Sequence, residues 1–144
     1  MKLIKEMEVS TGHRLHMHKG GCSNLHGHNY QIKIIVDFEL NGYIREPFDV
    51  GYFIDFSDIK SIINENFDHK FLMYAKDPFA SKLIDFLGVT PTSYIPTAEN
   101  IATDMASLVK TKILAELKKK NEKIPVKVFI ILNETKNSKV IAQA

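Results

Sequence analysis

The chain has 144 residues, 44% apolar and 25% charged, enough for one soluble domain spanning residues 1–144 and too few for two ordinary ones. A formal net charge of +2, from 19 basic and 17 acidic residues, argues against a nucleic-acid partner held by bulk charge. The single cysteine, Cys22, excludes an intramolecular disulfide and any structural metal site built on several thiolates. No apolar run approaches the ~20 residues that cross a bilayer, so no membrane role is expected. The first residues, Met1-Lys2-Leu3-Ile4-Lys5-Glu6, lack the apolar stretch of a secretory signal, and the cytoplasm is the expected location.

Residues 3–11 alternate, Leu3, Met7 and Val9 against Glu6 and Glu8, and read as a strand. A histidine- and glycine-rich loop follows, from Gly12 to Asn24. Residues 26–38 carry the clearest strand pattern, with Tyr30, Ile32, Ile34, Val36 and Phe38 on one face. Residues 43–50 read as a turn or irregular hairpin tip limited by Pro47, and residues 51–56 as a short strand entering a helix. Asp55, Ser57 and Asp58 each offer an N-cap oxygen for a helix near 58–67, where Ile59, Ile62, Ile63 and Phe67 recur at helical spacing. Asp77-Pro78 starts a short helix that Gly88 stops. A turn-rich link through Pro91 and Pro96 leads to Thr97, the cap of the longest helix, about 98–120, with the stripe Ile101, Met105, Leu108, Val109, Ile113 and Leu117. That helix ends in Lys118-Lys119-Lys120, a solvated run rather than a nucleic-acid patch. Residues 126–134 form a strand, Lys136-Asn137-Ser138 a turn, and Lys139–Gln143 a strand pairing back. Strands at both ends and helices between them give an α+β fold with antiparallel sheet.

Five of the six histidines fall between positions 13 and 28. Packing explains so dense a group poorly, because each buried imidazole needs its own polar partner. His26-Gly27-His28 opens the second strand, so both rings point to one face, about 6.5–7 Å apart along it. Gly27 between them leaves the opposite face open to close approach. A third ligand from the end of the preceding strand, His13, shares parity with Val9 and Thr11. Three neutral imidazoles suit Zn²⁺ and leave a fourth position for water or substrate, the catalytic pattern. His16 and His18 have the same spacing and compete with His13, although solvent-exposed loop positions are the simpler reading of both.

Cys22 lies four residues before His26 among polar neighbours. It reads as a reactive base beside a metal, with a fourth, site-closing ligand as the competing role. Asp68 beside His69 could orient that imidazole. Glu134 continues the apolar face of its strand, as expected either where the face emerges into solvent or where a carboxylate meets the N–H edge of a heterocycle.

These segments together resemble the 6-pyruvoyl-tetrahydropterin synthase / 6-carboxytetrahydropterin synthase family. His13-Arg14-Leu15 with Cys22-x-x-x-His26-Gly27-His28-Asn29-Tyr30 is similar to its zinc and nucleophile region. Phe67-Asp68-His69-Lys70-Phe71-Leu72 is similar to its segment after the first helix, Pro96-Thr97-Ala98-Glu99-Asn100 to its helix start, and Glu134-Thr135 to its pterin anchor. Residues 73–95 make a longer connection than the shortest members have. The resemblance implies the tunnelling fold, an antiparallel sheet with helices packed on one face, whose subunits join into a barrel and form a homo-oligomer, usually a hexamer. It implies Zn²⁺ on His13, His26 and His28, and Cys22 as the base that removes a carbon-bound proton. Asp68 and His69 would relay protons from a neighbouring subunit, and Glu134, with Thr97 nearby, would hold the pterin ring. The implied substrate is 7,8-dihydroneopterin triphosphate, and the short loop from His13 to Cys22 favours the carboxy branch of queuosine-type synthesis over the pyruvoyl branch. Positions 22–25, Cys-Ser-Asn-Leu, disfavour relatives that carry a glutamate there. A non-catalytic scaffold with a closed His₃Cys site is the rival from another class. A purine-ring-hydrolysing relative, which draws zinc ligands from several cysteines, fits one cysteine poorly.

Overall fold

The computed structural model describes residues 1–40, 42–45 and 51–144. The expected turn at 43–50 falls largely outside them. The first strand, β1, runs Lys2–Arg14 and the second, β2, His26–Phe38, with a 3-10 turn at Gly21–Ser23 between them. Helix α1 spans Phe56–Phe67, β3 Lys70–Tyr74, α2 Ala80–Leu87, β4 Thr90–Thr92, α3 Ala98–Lys119, β5 Val126–Asn133 and β6 Lys139–Gln143. The six strands form one sheet in the order β4-β3-β1-β2-β5-β6.

The four long and C-terminal strands pair antiparallel, as expected. The two short strands add a parallel edge, β3 on β1 and β4 on β3, so the sheet is mixed. Pro91 sits in β4 at this edge, where a missing N–H removes no ladder bond that a further strand would need.

One face of the sheet is apolar and carries α1 and α3. Tyr30, Ile32, Ile34, Val36 and Phe38 of β2 and Val126, Val128, Ile130 and Leu132 of β5 are all buried. Against them pack Ile59, Ile63 and Phe67 of α1 and Ile101, Met105, Val109, Ile113 and Leu117 of α3, forming one core. Leu108, expected on the α3 stripe, is partly buried beside it. Helix α2 stands apart, over a small second cluster of Met73, Ala80 and Val89.

The caps follow side-chain chemistry. Asp55 accepts from the Ser57 amide at 2.7 Å and starts α1 two residues earlier than the periodicity suggested. Thr97 Oγ1 accepts from the Asn100 amide at 3.3 Å and starts α3. Gly88, at φ 62°, ends α2. Residues 51–56 form no strand: Phe53 and Ile54 are buried into the core from irregular backbone, and the Phe53 ring lies 4.5 Å from that of Phe38. Tertiary packing, not a ladder, explains that apolar run. No helix among the described residues is long and apolar enough to cross a membrane.

Candidate active site

The register of β1 on β2 assembles the site. Thr11 faces His28, Gly12 faces Gly27 and His13 faces His26 across the antiparallel pair. His13 and His26 are therefore direct cross-strand neighbours, and His28 lies one pleat away on the same face. Their ring centroids are 4.4 Å apart for His13–His26, 5.2 Å for His13–His28 and 5.3 Å for His26–His28. One ligand nitrogen from each ring lies within 4.8 Å of the other two.

The protonation pattern of the cluster follows from its partners. His13 Nδ1 lies 2.7 Å from the Pro96 carbonyl and His26 Nδ1 2.9 Å from the Asn24 carbonyl. A carbonyl only accepts, so both Nδ1 atoms carry the proton and both Nε2 atoms keep a lone pair. Those Nε2 atoms are buried without any hydrogen-bond partner. Burial, partly opposed by the Pro96 hydrogen bond, lowers the His13 pKa below its ordinary value and keeps the ring neutral. Glu134 Oε1 lies 3.8 Å from His13 Nε2 and 3.7 Å from His28 Nε2, too far for a hydrogen bond. The buried Tyr30 hydroxyl donates to that oxygen at 3.2 Å, and burial pushes the phenol far above its ordinary range, so it stays a donor.

Two imidazole lone pairs and a carboxylate thus converge with a single donor among them. Converging acceptors repel unless a cation lies between them, and buried polar atoms left unpaired are otherwise costly. Three imidazoles beside a carboxylate are the donor set of a borderline-soft divalent ion, and zinc fits it. The carbonyls of Pro96 and Asn24 are the outer partners that fix ring orientation at such sites.

A cavity of about 570 Å³ opens beside the cluster, lined by His13, Cys22, Thr97 and Glu134, with His18 and Lys139 also on its wall. Cys22 is a free, half-buried thiol in the 3-10 turn. Four of the expected site residues therefore share one space. His18 is exposed and accepts from the Gly20 amide at 2.9 Å. His16 is not the exposed loop residue expected. Its ring stacks on Tyr74 at 5.7 Å, its Nδ1 is buried, and Asp77 lies 4.0 Å away. Neither ring joins the cluster, which leaves His13 as the third partner of His26 and His28.

Asp68 and His69 do touch each other, with Nδ1 of His69 3.0 Å from Asp68 Oδ2. Asp68 Oδ1 accepts from the Ser10 amide at 3.0 Å, and the His69 amide donates to the Ser10 carbonyl at 2.7 Å. His69 takes a left-handed conformation, φ 54°, that turns the chain from α1 into β3. Its side chain is 83% exposed and borders a different groove, floored by Gly12 and Gly27. It does not line the Cys22 cavity.

Comparison with known proteins bears directly on this arrangement. The family model described as 6-pyruvoyl tetrahydropterin synthase matches residues 2–144. The chain belongs to that family. Among curated relatives, the 6-carboxy-5,6,7,8-tetrahydropterin synthase of Rickettsia conorii is 30% identical over 116 residues, 78% of this chain and 83% of its own length. The protein of the same name from Rickettsia felis is 31% identical over 120 residues, again 78% and 83% of the two chains. Among solved structures, the 6-pyruvoyl tetrahydropterin synthase of Plasmodium falciparum superposes with a TM-score of 0.66 at 20% identity, covering 100% of this chain and 97% of that one. At that identity the likeness speaks for the fold, and the tunnelling fold of this synthase family is the one observed.

Two partners in the site and one ion pair beside it carry no sequence signal. Tyr30 reads in sequence as one more apolar position of β2, yet its hydroxyl reaches Glu134. The Pro96 carbonyl carries no side-chain signal. Arg14 and Asp77, 63 positions apart, meet only through the parallel edge of the sheet.

Proposed function

We propose that this member of the 6-pyruvoyl tetrahydropterin synthase family is a zinc-dependent 6-carboxy-5,6,7,8-tetrahydropterin synthase of the cytoplasm. It would convert 7,8-dihydroneopterin triphosphate and water to 6-carboxytetrahydropterin, acetaldehyde and triphosphate, in 7-deazaguanine (queuosine-type) synthesis. The observation that carries the reading is the convergence of His13, His26 and His28, with the unpartnered Nε2 atoms of His13 and His26 among them, beside a cavity lined by Cys22, Thr97 and Glu134. The name carried by the Rickettsia relatives favours the carboxy branch.

In this reading His13, His26 and His28 hold Zn²⁺. When bound, zinc supplies Lewis acidity toward oxygens of the substrate side chain, which acidifies the neighbouring C–H. Cys22 takes the carbon-bound proton as general base. Glu134 accepts from the N–H edge of the pterin, steadied through its other oxygen by Tyr30, with Thr97 beside it. His69, oriented by Asp68, returns protons. Its exposure and its distance from the Cys22 cavity suit a residue that serves the site of a neighbouring subunit. The sheet face opposite α1 and α3 supports a homo-oligomer: Ile4, Ile35 and Phe129 are successive neighbours across three strands there, and Ile4 and Ile141 are exposed.

The test is mass spectrometry of products formed from 7,8-dihydroneopterin triphosphate by the zinc-loaded protein. A 6-carboxytetrahydropterin product with acetaldehyde is expected. A 6-pyruvoyl product would move the chain to the other branch, and absence of turnover would return it to a scaffold role.

A further inference from the structure

Arg14 follows His13 in β1, but its side chain serves another part of the molecule. Its Nε donates to the Ser23 carbonyl at 2.7 Å, and its guanidinium pairs with the carboxylate of Asp77. The Arg14 side chain is 14% exposed and that of Asp77 0%. The guanidinium also lies over the Phe79 ring, with Cζ 4.9 Å from the centroid. Asp77 Oδ1 accepts from the Phe79 amide at 2.9 Å, which ties the carboxylate to the turn before α2. One residue on, the Leu15 amide donates to the Cys22 carbonyl at 2.9 Å. The carbonyls of Cys22 and Ser23 are therefore both held from the end of β1, and that hold leads back to a fully buried carboxylate in the 75–79 connection.

A planar guanidinium is the group that can bond a carbonyl through Nε while presenting a separate N–H to a carboxylate. Asp77 is fully buried and has no water to compensate the loss of its partner, and removing its charge leaves Arg14 without its counter-charge and frees it to leave Ser23. Cys22 sits in a 3-10 turn with no buried residue of its own, so its position depends on these backbone holds.

We infer that Asp77, acting through Arg14, is a positioning residue for Cys22: the segment before α2 braces the turn that carries the thiol. The inference rests on the proposed role of Cys22 for its catalytic consequence, but not for its structural one.

Asp77→Asn tests it, in the zinc-loaded full chain. Expected are a kcat on 7,8-dihydroneopterin triphosphate reduced about tenfold or more, as small misplacements of a reacting group produce, with KM and zinc content unchanged. Cys22 alkylation by iodoacetamide should accelerate, and amides 20–24 should lose hydrogen-exchange protection while those of β5 keep theirs. Arg14→Lys keeps the charge facing Asp77 but lacks the second arm for Ser23, so it should reproduce the same signature. Wild-type alkylation and exchange at 20–24 in both variants would overturn the brace. So would joint loss of zinc and of β5 protection, which would make the pair a general fold element. Failure of the catalytic reading shows separately, as full turnover in Cys22→Ala, and leaves the exchange readout standing.

Discussion

His13 illustrates how one residue can combine burial with chemistry. It is 1% exposed, its Nδ1–H is committed to Pro96, and its remaining lone pair faces two other imidazoles. Cys22 plays the complementary part: it lines the same cavity without belonging to the converging cluster. Cys22→Ala should therefore bind one zinc as the wild type does and lose turnover by about 10²–10⁴-fold, the usual scale for a missing general base. Zinc content by elemental analysis and a steady-state assay would check both halves, and retained turnover would remove Cys22 from the mechanism. Asp68 lends itself to a pH test. The Ser10 amide, reinforced by His69, holds its carboxyl below the ordinary value of 3.8. Unfolding releases the hold, so the unfolded chain binds the proton more readily. Its stabilising contribution is thus complete above that ordinary value and is lost as pH falls through the lower folded one. Thermal unfolding across this range should show a shallower acid dependence for Asp68→Asn than for the wild type; equal slopes would mean that the contact contributes nothing.

At the level of elements, the pairing of β1 with β2 carries the site, and two glycines permit it. Gly12 and Gly27 face each other across the pair, and a Cβ at Gly27 would lie 2.9 Å from the Thr11 carbonyl oxygen and 3.2 Å from Gly12 Cα. Backbone cannot yield there as a side chain can. Gly27→Ala should lower stability by about 1–3 kcal/mol, the usual cost of overpacking, and weaken zinc binding by displacing the flanking His26 and His28. Gly21→Ala, which meets open space, should leave thermal unfolding unchanged. Equal melting points for Gly27→Ala and the wild type would contradict the close approach. The same strands explain what was readable in advance. β2 and β6 occur at the residues expected, because alternation and a turn signal act locally, and α3 begins at Thr97 because its cap is a local hydrogen bond. β3 and β4 went unseen because five and three residues without clean alternation acquire strand geometry only from their neighbours. The apolar run at 51–56 misled for the converse reason, since Phe53 and Ile54 are buried by the core rather than by a ladder. Within the site, parity made the pairing of His26 with His28 legible and left His13, His16 and His18 competing for the third place, which the family resemblance gave to His13; the inward stacking of His16 on Tyr74 and the reach of Tyr30 to Glu134 depend on distant chain.

For the whole molecule, the site gathers residues far apart in the chain near one end of the sheet. β1 and β2 supply the imidazoles, the loop between them the thiol, the residues just before α3 the Pro96 carbonyl and Thr97, and the residue just after β5 the carboxylate. A metal held there would link β1 and β2 directly, and anything that binds the folded chain alone adds to its stability. X-ray absorption spectroscopy of the zinc-loaded protein tests this most directly. Three imidazole nitrogens and one oxygen at about 2.0–2.2 Å, with no sulfur, are expected; a sulfur scatterer near about 2.3 Å, or a spectrum unchanged when His13 is replaced by alanine, would contradict an open three-histidine centre.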